Sequence, residues 1–206
     1  EMSVAGSASM NVEHINGGAA NAGKTFSMGN QLTFTGSGEL DNGMNVSLSF
    51  VLDQDDDTTL GEAAREENSP FDSHSVTVSS DVLGTLVFSG EGGSSAQSAI
   101  DTTAAGDAWD NGSGVTAVRA SEAGNNSMMY TLPSVMDDLT VKASYSPGGA
   151  GGGSATAYHI GYAGVEGLSL DYAVGETETI GSEQEHTTYK GSYAYSSFTL
   201  SYSQTE

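Results

Sequence analysis

The chain has no cysteine and only three prolines among its 206 residues, and its five basic side chains are set against 27 acidic ones. Without cysteine there is neither a disulfide framework nor a thiolate metal site. A formal charge of −22 makes nucleic acid and anionic membrane surfaces poor partners. Apolar residues amount to 36%, little for a soluble domain of this length that must fill a core. No apolar run approaches the roughly 18 residues of a membrane-crossing helix. A membrane β-strand asks for less: about 9–11 residues with every second one apolar. The chain is already alternating at "EMSVAGSASM", so any export signal is expected to have been removed or never to have been there.

What the sequence does have is period-two alternation. In "MNVSLSFVL" (44–52), Met44, Val46, Leu48, Phe50 and Leu52 share one face, while Asn45, Ser47 and Ser49 share the other. Successive side chains of a strand point to opposite faces, so this segment needs one apolar and one polar neighbour. Similar segments predict about eleven strands, near 2–12, 25–37, 44–54, 73–80, 85–90, 127–132, 139–146, 157–163, 168–175, 187–195 and 198–204. Helical periodicity is nearly absent; "GEAAREEN" (61–68) and "SAQSAIDTTAAG" (95–106) offer a turn or two inside links.

The links alternate in length. Short ones are "ELDNGM", "SSDVLGT", "PSVMDDL", "AGVEGL" and "YSSF"; long polar ones are expected at 13–24, 55–72, 91–126, 147–156 and 176–186. Short turns at one rim and long loops at the other are the habit of outer-membrane barrels. A Greek-key sandwich would mix its link lengths. The apolar faces carry Leu32, Phe34, Val46, Leu48, Phe50, Val76, Phe88, Ile160 and Tyr193, with Tyr130, Tyr145, Tyr189, Tyr195 and Tyr202 expected toward strand ends, as an interfacial girdle requires. The opposite faces are Ser, Thr, Asn and Gly, with Lys142, Asp171 and Lys190 among them. Hydroxyls at that density suit a water-filled lumen. The reading is all-β: a transmembrane antiparallel up-and-down barrel. Its rival is a soluble or surface-layer β-domain with an adhesive role, which would seal Leu48, Phe50 and Tyr193 in a core. A hydrolase built into a barrel would need a clustered nucleophile and base, and no Ser-His-Asp arrangement stands out.

"NNSMMYTLPSVMDDLTVKASYSP" (125–147), "GELDNGMNVSLSFVLDQ" (38–54) and "DVLGTLVFSGEGG" (81–93) resemble segments of Gram-negative general porins, most closely those of marine alphaproteobacteria. The resemblance covers essentially the whole chain. It implies a sixteen-stranded, homotrimeric barrel that passes small hydrophilic solutes across the outer membrane, in contact with lipid and lipopolysaccharide. It also implies that the third long loop, here 91–126, folds into the lumen and narrows it. The chain departs from the family in ending on "SYSQTE" rather than a terminal aromatic, after an odd number of strands. The expectation is that 1–206 is the N-terminal portion of one barrel domain, with about five strands to follow.

On that reading Glu91, Asp101, Asp107, Asp110 and Glu122, with Arg119 the one basic residue among them, form an acidic eyelet in the constriction loop. They read equally as solvated loop charges. Trp109 anchors the loop to the wall or packs within it. Lys142 and Lys190 set up a field across the lumen, or pair locally with a carboxylate such as Asp171. The result would be a passive channel, not an enzyme, with a mild preference for cations.

"DQDDDTT" (53–59) lacks the spacing of a calcium loop and reads as a solvated outer link, at most holding divalent ions weakly beside lipopolysaccharide. "GGAGGGSAT" (148–156) has no following helix or Lys-Ser/Thr and is a loop, not a phosphate cradle. His14, His74, His159 and His186 lack metal-ligand spacing, and His74 and His159 are expected near the apolar face. No cofactor is expected.

Overall fold

The alternating segments form one antiparallel meander. The computed structural model describes residues 1–15, 23–53, 73–100, 121, 125–148, 153–179 and 181–206. In chain order its strands are β1 (Met2–Ile15), β2 (Gly23–Glu39), β3 (Asn45–Asp53), β4 (Ser73–Ser80), β5 (Gly84–Glu91), β6 (Ser127–Thr131), β7 (Leu139–Ser146), β8 (Ser154–Val165), β9 (Leu168–Thr179), β10 (Ser182–Tyr195) and β11 (Phe198–Thr205). Each pairs with its sequence neighbours, so spatial order follows chain order. Among the described residues β1 pairs only with β2 and β11 only with β10, which leaves two edges.

Register turns the alternation into two surfaces. Ser3, Thr35, Ser49, Ser75, Ser89 and Ser127 stand side by side across six strands. The Ser3 and Thr35 hydroxyls are 2.6 Å apart. One residue along, Met2, Gly36, Leu48, Val76, Phe88, Met128 and Tyr145 form the matching row on the other face. A slip of one residue in any pair would exchange the two surfaces.

Among the described residues the buried apolar set is Ala96, Ile100, Ala155, Ala157 and Ala173, so Ile100 at the loop root is its one large side chain and no large apolar side chain of the strands is sealed away. Leu48 is 40% and Tyr193 47% exposed, and Phe198, Leu200 and Tyr202 are more so. The greasy surface faces outward, which excludes the soluble β-domain that would bury Leu48 and Tyr193. His74 belongs to this face. Its ring stacks on Phe50, with centroids 6.4 Å apart, over the bare backbone of Gly90.

Each of the five short connections holds one residue with positive φ: Gly43, Gly84, Asp138, Gly167 and Ser196. At Gly84 a side chain would run into the Thr131 carbonyl of the neighbouring strand, so glycine is required by space as well as by backbone conformation.

The other rim differs from expectation. The links expected at 13–24, 147–156 and 176–186 shrink to 16–22, 147–153 and 180–181, because the strands on either side run further. Along β9 the outward residues Leu168, Leu170, Tyr172 and Val174 give way to Glu176 and Glu178. Along β10, Tyr193 and Tyr189 give way to Thr187, Glu185 and Glu183. Beyond the apolar band both faces are polar, so the alternation disappears while the backbone ladder continues. Tyr189 and Tyr202 accordingly lie inside their strands, not at the ends. They mark the upper edge of the apolar band, where the Tyr189 ring meets that of Tyr172 at 5.2 Å. At the short-turn rim the Tyr130 hydroxyl donates to the Leu83 carbonyl at 2.5 Å.

The hairpin that projects past this band opposes Glu176 to Glu185 and Glu178 to Glu183. The charge on Glu183, and a hydrogen bond between the two side chains, hold the Glu176 carboxyl above the ordinary carboxylate range. The folded hairpin therefore binds its proton more tightly than the unfolded chain does. Its stability is greatest below the ordinary glutamate value and falls as pH rises through the raised one. Amide protection at Thr177 and Gln184 is expected to be lower at pH 7 than at pH 4, and Glu183→Gln is expected to remove most of the difference. Protection factors independent of pH would contradict this.

Candidate functional site

The polar face of β7–β10 carries a passenger. After β5 the chain makes a single turn over Ser95–Ile100, in which the Ala99 amide donates to the Ser95 carbonyl at 2.9 Å. Ser95 and Ser98 cap each other: the Ser98 amide donates to Ser95 Oγ at 2.9 Å and the Ser95 amide to Ser98 Oγ at 2.8 Å. This is the helical turn anticipated at the start of 95–106. The Ala96 amide then donates to Ser144 Oγ of β7 at 2.8 Å.

Gln97 is the centre of the contact. It is 0% exposed. Its Nε2 donates to Thr188 Oγ1 of β10 at 2.9 Å, and its Oε1 accepts the Ser121 amide at 2.7 Å. Ser121 Oγ donates to Ser95 Oγ at 2.8 Å. One side chain thus ties the outgoing and returning arms of the link 91–126 to each other and to the wall. The wall is shaped to receive them. Ala155, Ala157 and Ala173 are buried there, and a side chain at Gly175 would strike Ser121. Larger residues on β8 and β9 would lift the loop off.

Below this clasp a row of ionisable groups crosses four strands. Lys142 of β7 stands opposite His159 of β8, and Asp171 of β9 stands opposite Lys190 of β10. His159 Nε2 lies 2.9 Å from Asp171 Oδ1, and Ser169 Oγ donates to Asp171 Oδ2 at 3.4 Å. Gly161 leaves the room they occupy: a Cβ there would come within 2.8 Å of Asp171 Oδ1 and 3.2 Å of the imidazole. His159 is therefore on the polar face, not near the apolar one, and only 8% exposed. Its neighbours Tyr158 and Ile160 take the outward positions.

Lys142, Asp171 and Lys190 have the inward parity expected of them. The partner closest to Asp171 is His159, and Lys142 and Lys190 line a recess together with Ala99 and Ile100. They are thus on the wall that the loop root leans against. Glu91 ends β5, opposite His74 across a bulge, and is part of the strand. Asp101, Asp107, Trp109, Asp110, Arg119 and Glu122 lie outside the described residues, as do 54–59 of the acidic run, and the side chain of His14 is not described. Among the described residues no cluster of His, Asp and Glu is placed to hold a metal ion, and no helix is long and apolar enough to cross a membrane.

Gln97, Ser121, Ser144 and Thr188 were not singled out by sequence reasoning. Two signals pointed there: the Ser-x-x-Ser pair at 95 and 98, and the run of small residues at inward positions 155, 157, 161, 173 and 175.

A sheet with its apolar face outward, a polar inner face and a link clasped to that face is the geometry of a membrane channel. The family model of the Gram-negative porins matches residues 1–206. The chain belongs to that family. Among solved structures, a double mutant of the Rh. blastica porin is similar over 100% of this chain and 84% of its own, with 12% identity and a TM-score of 0.51. A triple mutant of the Rhodopseudomonas blastica porin covers the same shares at 12% identity with a TM-score of 0.48. At that identity the likeness speaks to the fold alone. No curated protein matches in sequence. The porin is an outer-membrane channel and not an enzyme.

In this porin Thr188 Oγ1 has a second partner, Thr205 Oγ1 at 3.0 Å, whereas the Ser121 amide is bonded to Gln97. Gln97→Ala would leave that buried amide unpaired, at about 1–3 kcal/mol. The Ser121 amide is expected to exchange with solvent at least tenfold faster in this variant. Unchanged exchange would mean that Gln97 does not hold the loop.

Proposed function

We propose that this porin is a passive diffusion channel for small hydrophilic solutes and ions, mildly cation-selective, in which the link 91–126 forms the constriction. The observation that supports the reading is the Gln97 clasp: both arms of the link, at Gln97 and at Ser121, are bonded on the polar face of the sheet. The greasy outer face meets lipid, and we take the working unit to be a homotrimer whose outer rim contacts lipopolysaccharide. Transport of this kind calls for no cofactor. Solutes move down their gradients and are sorted by size and charge at the narrowest point.

Selectivity follows from charge at that point. The chain carries 27 acidic against five basic residues, but charges on outer links act weakly once salt screens them beyond about 10 Å. Charges facing one another across a narrow passage are screened far less. Asp101, Asp107 and Asp110 are the residues proposed to attract cations there. Lys142 and Lys190 on the wall oppose them, which keeps the preference mild. Reversal potentials in planar bilayers under a potassium chloride gradient are expected to favour cations. Replacing the three aspartates by asparagine should move the reversal potential toward zero. A pore that prefers anions would overturn the reading, and an unchanged potential in the triple variant would take the filter away from this loop.

A further inference from the structure

Two histidines are buried in the polar wall where the loop root is bonded to it. His159 of β8 and His186 of β10 are 8% and 7% exposed, on a face that otherwise meets water. Register fixes their places. Lys142, His159, Ala173, Thr188 and Thr205 form one inward row across β7–β11, and Thr188 is the residue that Gln97 grips. The neighbouring inward row is Ser144, Ala157, Gly175 and His186. It holds the root as well: the Ala96 amide donates to Ser144, and Ser121 rests where a side chain at Gly175 would be. Among the described residues, the turn Ser95–Ile100 and Ser121 are the segments bonded onto these two rows. Side chains so buried on an inner face need cover from above the sheet, and the link supplies it.

Neither ring is equipped to carry charge there. His159 Nε2 lies 2.9 Å from Asp171 Oδ1, and an ionised carboxylate only accepts, so Nε2 holds the proton of the neutral ring and Nδ1 is a bare acceptor. Nδ1 is buried with no hydrogen-bond partner among the described residues. A second proton would make it a buried donor with nothing to receive it, beside the like charge of Lys142 on the adjacent strand. Asp171 answers the Nε2 side alone, and it also accepts from Ser169 and stands opposite Lys190. Asp138 is the other carboxylate lining this recess. His186 makes no hydrogen bond or ion pair among the described residues. The inward positions around it are Gly175, Gln184 and Thr188, all neutral, while Glu176 and Glu185 have outward parity. The link's own ionisable residues, Asp101, Asp107, Asp110, Arg119 and Glu122, lie outside the described residues. Charge without a partner is costly in a dry site, and water reaching the ring removes the cost.

We propose that the two rings form a proton-operated release for the loop root: neutral rings leave the Gln97 clasp shut, and charged rings open it by drawing water beneath it. The proposal rests on the channel reading above and gives it a regulation, a constriction held less firmly in acid than at neutral pH. Histidine is the side chain whose charge ordinarily changes between about pH 5 and 8. The sign follows from the coupling. Charge on either ring is better met in the lifted arrangement than in the shut one, so added protons shift the balance toward lifting.

Amide exchange in the reconstituted protein tests this at Ala96 and Ser121, whose N–H groups donate to Ser144 Oγ and Gln97 Oε1. Their protection factors are expected to fall at least tenfold from pH 8 to pH 5, with midpoints that match the NMR titrations of the His159 and His186 rings. In the double variant His159→Gln/His186→Gln the fall is expected to shrink below twofold, while His74→Gln, on the lipid face, keeps it. Equal protection at both pH values in the unaltered protein overturns the release. So does a fall that persists in the double variant, which would place the sensor in the link's own carboxylates. If the double variant is unprotected at both pH values, the ring titrations of the unaltered protein decide. Midpoints more than one pH unit away from the loss of protection overturn the release, and matching midpoints support it. Planar-bilayer current is recorded alongside: its absence at every pH overturns the channel reading and leaves the release standing.

Discussion

Everything in this fold depends on strand register. With a side-chain period of two, a pairing that holds Ser49 beside Ser75 also holds Leu48 beside Val76, and there is no intermediate arrangement. Bulges occur at His74/Ser75 and at Tyr162/Val165, near strand ends, where they leave the rows across the middle of the sheet intact. The hydroxyl row that lines water and the apolar row that meets lipid are one fact seen from two sides. Burial of large apolar side chains, the usual stabiliser of a soluble domain, is nearly absent because lipid takes the place of a core.

The same parity explains why a loop can lie on the inner wall. A loop carries amide and carbonyl groups that must be bonded wherever they are buried. The inner wall supplies hydroxyls, so Ser144 and Thr188 satisfy what an apolar surface would have left unpaired. Alanine and glycine on β8 and β9 supply the space. Gln97 suits the central position because its amide both donates and accepts, and can therefore join a wall hydroxyl to a loop amide in one residue. A glutamate would carry charge into a fully buried site, and a leucine would bond nothing.

How much of this could be read from the sequence varied with the physics of each part. Strand existence was legible wherever lipid and water impose contrast on alternate residues, as in 44–52. It was lost where the contrast ends: "GETETIGSEQEH" (175–186) looks like a polar link, yet Glu176, Glu178, Glu183 and Glu185 continue the ladder. The inward parity of Lys142, Asp171 and Lys190 was readable by counting. The His159–Asp171 bond was not, since it depends on the stagger between β8 and β9 and on the gap left by Gly161. The clasp was hidden for a further reason. A lone glutamine in a serine-rich link has no pattern of its own, and it acquires meaning only when residues 91 positions apart, Gln97 and Thr188, are brought together.

The central claim is that the apolar face meets lipid and the polar face meets water. The native chain has no cysteine, so a single introduced thiol reports on one face alone. In protein reconstituted into lipid vesicles, a water-soluble maleimide is predicted to label Ser47→Cys, while Leu48→Cys resists it and a fluorophore there is quenched from the lipid phase. Labelling of Leu48→Cys from water with protection of Ser47→Cys would contradict the account.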